Sequence, residues 1–200
     1  MNKLNQNELT AIVSAAAELF VENTIAATTV KDVALRAGCG EATIYRRFGT
    51  KQNLAVRAAS HIALGVLGRY FDLDACENGF SALAEFYRAF LRVFEDDRRY
   101  FRFIRELDSY FLRDAESKEE YEDIIYLYYH RFQRAYERGL ADGTVRRLEN
   151  PSVFYYASCH SMLNLCKALS ADTLLRQDEN TRPEYEVAAL IDMILYNLIP

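Results

Sequence analysis

The side chains best suited to act on another molecule cluster between Thr28 and Arg57. Within that stretch stand Thr29, Glu41, Thr43, Tyr45, Arg46, Arg47 and Lys51: two aliphatic hydroxyls, a carboxylate, a phenol, two guanidiniums and an ammonium. Guanidiniums and hydroxyls pair with base edges in a DNA major groove, and every donor in this set can hold a phosphate. Catalysis would need other groupings. None of His61, His130 or His160 has a glutamate three positions before it, so the Glu-x-x-His pairs of a di-iron carboxylate bundle are absent from the sequence. There is no His-Glu-x-x-His, no Gly-x-Ser-x-Gly and no phosphate-cradling glycine loop. Cys39, Cys76, Cys159 and Cys166 form no Cys-x-x-Cys pair, so neither a zinc site nor a disulfide framework is expected. The residues point to binding rather than to an enzyme, with no cofactor and no metal.

Helices must position these side chains. The 200 residues are 50% hydrophobic and 26% charged, with only three prolines and eight glycines, a composition that favours an all-α protein. Leu9, Ile12, Val13, Ala16, Leu19 and Phe20 fall on one helical stripe that should end near Asn23 and Thr24. Thr29 is placed to cap a second, short helix, with Asp32 favouring its positive end. That helix should stop at Gly38, and Gly38-Cys39-Gly40 should turn the chain into a third helix, Glu41 to Phe48. Two short helices around a glycine turn make a helix-turn-helix. With Ile44 and Phe48 inward, a 100° step per residue turns Ala42, Thr43 and Arg46 outward and sets Tyr45 and Arg47 on the flanks.

The net charge of −5 divides unevenly along the chain. Residues 28–57 carry six basic side chains against Asp32 and Glu41, whereas residues 58–200 carry 17 basic and 24 acidic ones. A basic head on an acidic body suits a protein that meets phosphate with one end. Met1 to Thr10 is polar and lacks the pattern of a secretory signal, and no apolar stretch reaches the roughly 18 to 20 residues of a membrane span. A cytoplasmic protein with no membrane partner is expected.

Residues 9–57 resemble the DNA-binding head of the TetR-type bacterial repressors. The resemblance rests on Ala16-Ala17-Glu18-Leu19-Phe20, then TTVKDVALRAG, then ATIYRRF, then Lys51 after a two-residue turn, in that order and spacing. It implies a three-helix DNA-binding domain at 1–50 and a six-helix ligand-sensing and dimerisation domain at 51–200. It places the helix from Glu41 to Phe48 in the major groove of double-stranded DNA, Thr29 and Lys51 against phosphate, and Tyr45 on the backbone. Thr43 and Arg46 become the candidates for base contacts, with Arg47 reading a base or a phosphate. Gly40 departs from the family's usual Ser or Thr cap, Ala42 from a frequent Gly, and Glu41 from a basic or polar residue. Glu41 reads either as an acid at a helix N-terminus or as an acceptor for cytosine N4.

From Lys51 onward the pattern gives six helices, roughly 51–71, 79–95, 98–113, 117–139, 151–171 and 183–199. Eighteen of the 26 aromatics fall between Tyr70 and Tyr136. Tyrosines at 87, 100, 110, 126, 128, 129 and 136 can give a cavity apolar walls and a few hydroxyls. The resemblance implies a small-molecule effector in this domain, apolar or aromatic by these walls. Tyr87, Phe90, Phe94, Phe103, Tyr126, Tyr129, His160 and Asn164 are the expected liners. His160 reads equally as a core or interface histidine, and without an acidic partner at ligand spacing it is not a metal site. Val153 to Leu169 and Tyr185 to Ile199 are apolar on more than one face, so each needs two partners. The family pairs these helices with their copies, which makes Tyr155, Met162, Leu165, Leu169, Ala188, Ile191, Ile194, Leu195 and Leu198 the expected homodimer interface. Two reading helices related by a two-fold axis demand a near-palindromic operator.

Overall fold

Thr29, Asn78 and Asn150 cap the starts of α-helices in this chain, and Gly38, Gly49 and Asn197 stand at the ends of others. The computed structural model describes residues 3–111, 118–171 and 182–200. Among these residues lie nine helices and no strand. They are α1 (Lys3–Asn23), α2 (Val30–Ala37), α3 (Glu41–Phe48), α4 (Lys51–Tyr70), α5 (Gly79–Asp96), α6 (Arg99–Phe111), α7 (Lys118–Ala141), α8 (Pro151–Leu169) and α9 (Pro183–Tyr196). The all-α architecture, with three head helices and six more, is the expected one. α1 begins before its apolar stripe, in turns where Gln6, Asn7 and Glu8 are exposed. The break expected at Asp114–Ser117, all but the last two residues of that expected at Arg176–Pro183, and the Tyr110 side chain lie outside the described residues.

The described chain forms two compact units, one of Met1–Gly65 with Arg102–Ile125 and one of Val66–Phe101 with Tyr126–Pro200. In the first, α1 packs on α2 and α2 on α3. Ile12, Ala16, Phe20, Ile25, Val33, Ile44, Leu54 and Phe103 are buried there. The run Ala15-Ala16-Ala17 is buried throughout, small side chains that let neighbouring helices approach closely.

In the second unit α5 packs on α8 and α9. Its core is aromatic. Phe71 meets Phe86, Phe90 and Tyr128 edge to face at 5.3, 5.4 and 4.9 Å between ring centroids. Phe132 continues the cluster to Tyr155 at 5.1 Å. Edge-to-face pairs of this kind add about 0.5–1.5 kcal/mol each beyond area burial. The Tyr87 hydroxyl and Ser158 Oγ share a buried hydrogen bond of 2.7 Å, and burial holds the phenol well above its ordinary pKa.

The N-terminus of α5 is held from two directions. Asn78 and Ser81 form a capping box, while the Asp142 carboxylate accepts from the Gly79 amide at 2.8 Å and Thr144 Oγ1 accepts from the Phe80 amide. Asp142 also accepts from the Thr144 hydroxyl and amide, and the Thr144 hydroxyl is the first cause of its lowered pKa. The sign follows. A carboxylate more acidic in the folded state adds stability above its ordinary value of 3.8, and that stability is lost as pH falls through the depressed value. Asp142→Asn should therefore show a shallower loss of melting temperature than wild type between about pH 5 and about pH 2. Parallel acid limbs in thermal melts would count against this role.

Candidate nucleic-acid interface

The head is set up locally before any long-range contact. Thr29 caps α2 with extended backbone: its Oγ1 accepts from the Asp32 amide at 3.1 Å, and its own amide donates to the Asp32 carboxylate at 2.8 Å. The Thr29 hydroxyl, which donates to the same carboxylate at 2.6 Å, and then the Thr29 amide lower the Asp32 pKa. Gly38 then ends α2 at φ +67°, a left-handed conformation that glycine adopts without strain. The Cys39 amide closes the turn on the Ala34 carbonyl at 2.9 Å. The turn points the chain into α3 through Gly40, which offers α3 no side-chain cap. The Gly40 carbonyl accepts from the Thr43 and Ile44 amides at 2.9 and 3.4 Å, so only the amides ahead of them, at Glu41 and Ala42, are left without a cap from that residue.

α3 is anchored by one edge. Ile44 is 1% exposed and Phe48 7%, as the spacing required. Tyr45 is 50% exposed, and Glu41, Ala42, Arg46 and Arg47 face outward. Thr43 is half-buried rather than fully outward, since its 100° step from Ile44 leaves it on the flank. Among the described residues Arg46 makes no ion pair, whereas Arg47 has Glu8 at 3.9 Å. Arg36 turns back to Glu18 and Glu22 on α1, and Arg57 pairs with Glu120. The basic surplus of the head therefore reduces to Lys31, Arg46, Arg47 and Lys51 as charges open to a polyanion.

One clamp was invisible to the sequence. Both carboxylate oxygens of Glu106 on α6 accept backbone amides from the α1–α2 loop, Ile25 at 2.7 Å and Ala26 at 2.6 Å. Lys51 Nζ donates to the Ala26 carbonyl at 3.4 Å, so the same loop positions Thr29 and Lys51. Arg102, one turn before Glu106, reaches the Val21 and Glu22 carbonyls at the end of α1. Nothing in the spacing links residue 106 to residue 25, because the pairing exists only once both helices are folded.

The expected effector liners separate. Tyr87, Phe90, Phe94 and Phe103 are buried, Phe103 in the unit that carries α3 and the others in the second unit. Tyr129 is half-buried, while Tyr126, His160 and Asn164 are exposed. Tyr129 stacks on Tyr156 at 5.9 Å, and Tyr156 neighbours His160. Among the described residues, cavities of about 440, 460 and 470 Å³ each lie within a single unit, and the residues lining these do not include any of the eight. Cys159 and Cys166 are buried with thiols pushed up to about 12, which makes them inert core residues.

The residues expected at a dimer interface are mostly turned inward. Tyr155, Met162, Ile191, Ile194, Leu195 and Leu198 are buried within the chain's own unit, and Leu165, Leu169 and Ala188 are half-buried. A single apolar helix must first cover its own core, so its best-packed residues go there. The apolar surface left open on α8 and after Pro183 is that of Val153, Tyr156, Tyr185, Met193, Tyr196 and Ile199.

Residues 12–58 match the family model described as bacterial regulatory proteins, tetR family. Over 52 residues the chain is 38% identical to the HTH-type transcriptional repressor Rv3405c of Mycobacterium tuberculosis, and equally to the HTH-type transcriptional regulator Mb3439c of Mycobacterium bovis. These matches span 26% of this chain and 28% of each relative, less than a third of their length. Solved structures extend the likeness along the chain. The TetR family transcriptional regulator PfmR from Thermus thermophilus superposes with a TM-score of 0.64 at 25% identity, covering 94% of this chain and 99% of that one. FadR from Bacillus subtilis, in complex with stearoyl-CoA, gives 0.71 at 15% identity, covering 94% and 98%. A transcriptional regulator from Saccharomonospora viridis in complex with choline gives 0.75 at 15% identity, covering 96% and 97%. At 15% identity these last two speak for the fold alone. With the capped α2, the glycine turn and the open face of α3 in place, residues 12–58 form a head of the tetR type of bacterial regulatory proteins, and the fold of the rest of the chain is similar to that of PfmR.

Proposed function

We propose that this protein is a homodimeric transcriptional repressor and not an enzyme. In this reading it acts in the cytoplasm, binds a near-palindromic double-stranded operator through α3, and leaves it when a small molecule occupies the C-terminal domain. The observation that carries the DNA-binding part is α3 itself: Ile44 and Phe48 anchor one edge while Arg46 stands exposed and unpaired among the described residues. Thr43 and Arg46 are the proposed base readers, and Arg47 takes a base or a phosphate. Thr29, Gly40, Tyr45 and Lys51 are the proposed phosphate-side contacts, with Glu41 at the helix start. Residues 1–50 act as the DNA-binding domain and 51–200 as the sensing and dimerising domain.

Dimerisation is assigned to α8 and α9, where Val153, Tyr156, Tyr185, Met193 and Tyr196 leave apolar surface uncovered. The effector is assigned an apolar or aromatic body because aromatic side chains are dense in that domain. Proteins of the same fold have been crystallised with ligands as different as stearoyl-CoA and choline, which fits a sensor scaffold with variable chemistry. An effector must bind the released form about 1–3 kcal/mol or more tightly than the DNA-bound form to matter.

Selection of bound duplexes from a random pool tests this directly, and failure to enrich any palindrome would sink the reading. On the selected duplex, Arg46→Ala should cost about 1–3 kcal/mol and relax preference at one base pair per half-site. Lys51→Ala should weaken all sequences alike and make the salt dependence shallower by about one counterion per half-site. Unchanged sequence preference in Arg46→Ala would remove that residue from the reading face.

A further inference from the structure

A cavity of about 470 Å³ lies among α1, α3, α4 and the first turns of α7, all within the unit that carries α3. That volume is in the range of small-molecule sites. Leu9, Val13, Phe48, Leu64 and Ile124 make its apolar wall. Ser60 is among the lining residues; it is only 2% exposed, and its buried hydroxyl makes no hydrogen bond. Helical serines usually return the hydroxyl to the carbonyl four residues back, as Ser158 does to Phe154 and Ser161 to Ala157. Ser60 does not, so a buried polar group is left for an occupant to satisfy.

The charged lining selects the occupant. Arg47 and Arg57 face the cavity against one carboxylate, Glu120, with His61 at the same wall. Arg57 is paired with Glu120. Among the described residues Arg47 is held only by Glu8 at 3.9 Å, beyond hydrogen-bond distance, and its donors remain available to an occupant. A hydroxyl and two guanidiniums beside an apolar wall match a head group that only accepts, carried on an apolar tail.

We propose that this cavity binds a small amphiphilic carboxylate. The tail lies against Phe48, Leu64 and Ile124, and the carboxylate accepts from Ser60 Oγ and the Arg47 guanidinium while competing with Glu120 for Arg57. The site is separate from the one assigned to the C-terminal domain. Arg47 and Phe48 form the last turn of α3, so an occupant engages the helix proposed to read DNA. That consequence rests on the repressor reading, whereas binding itself does not.

Sodium octanoate is the probe, with octan-1-ol and octylamine as head-group controls, titrated into the full chain and followed by methyl NMR at Leu9, Val13, Leu64 and Ile124. Octanoate should shift these methyls saturably, and octylammonium should not. Ser60→Ala removes only an unbonded hydroxyl and should fold normally, yet weaken octanoate about tenfold, the loss expected for a hydrogen bond to a charged group. Glu120→Gln removes the competitor for Arg57 and should tighten octanoate about threefold, a rise in affinity that a purely structural role for Glu120 would not produce. Still methyls up to about 10 mM octanoate, equal binding of all three head groups, or unchanged affinity in both variants overturns the proposal. A second arm measures affinity for the selected duplex with and without octanoate. If no duplex binds under any condition the repressor reading fails and the methyl result stands; if the methyls fail, the repressor reading is untouched.

Discussion

Gly79→Ala is expected to lose at least about 3 kcal/mol of stability, because the new methyl has no space and its neighbours are main chain. A Cβ at position 79 would overlap the backbone nitrogen and Cα of Gly139 and stand 2.8 Å from the carbonyl carbon of Arg138. A flexible side chain could swing away, but helix backbone cannot. Gly139 is equally closed, since a Cβ there would meet the Val145 side chain. The two glycines let α5 start directly against the end of α7, where Asp142 and Thr144 reach its first amides. For a chain of this length the loss should lower the melting temperature by roughly 6–12 °C. Gly68→Ala is the control. No atom lies within 4 Å of a Cβ at that helical position, so it should gain about 0.5–1 kcal/mol. A Gly79→Ala variant that melts with wild type would show that α5 and α7 separate easily, against the geometry.

Glu106→Ala should be the second large effect, and it should appear in both stability and DNA binding. The variant removes two charge-assisted acceptors from the Ile25 and Ala26 amides, one pair part-buried and one exposed. Hydrogen bonds to a charged group are worth about 1.5–3 kcal/mol each, and discounting the exposed one gives roughly 2–4 kcal/mol for the unit. The loop it frees leads into the Thr29 cap and receives Lys51. Phosphate-side contacts should therefore lose their positions even where the fold survives. Hydrogen exchange at the Ile25 and Ala26 amides is the sharpest readout, with duplex affinity by fluorescence polarisation beside it. Amide protection and duplex affinity both equal to wild type would show that Glu106 merely rests against the loop.

Local rules made much of the head legible in the residues alone. The Thr29–Asp32 capping box, the left-handed Gly38 and the burial of Ile44 and Phe48 each depend on residues within five positions of one another. Helical periodicity likewise placed the described bounds of α4 to α9 within a few residues. Turn chemistry marked their ends: Asn78 and Asn150 are caps, and Pro151 and Pro183 stand in first turns.

What stayed illegible depends on distance in the chain. An apolar pattern says that a helix face needs cover without saying from where. Tyr155, Met162, Ile191 and Leu198, expected against a partner, are buried within the chain's own unit. Tyr87, Phe90, Phe94 and Phe103 are likewise buried, and aromatic density by itself does not distinguish a filled core from a lined cavity. Glu106 on the α1–α2 loop, Gly79 against Gly139 and the unbonded Ser60 hydroxyl in its cavity are tertiary facts outright. The residues between Thr28 and Arg57 determined by themselves that a helix would be offered outward with Arg46 at its face. Only the folded chain decided which basic neighbours remain open beside it, because Arg36 and Arg57 are drawn to Glu18, Glu22 and Glu120, acids brought within reach by packing alone.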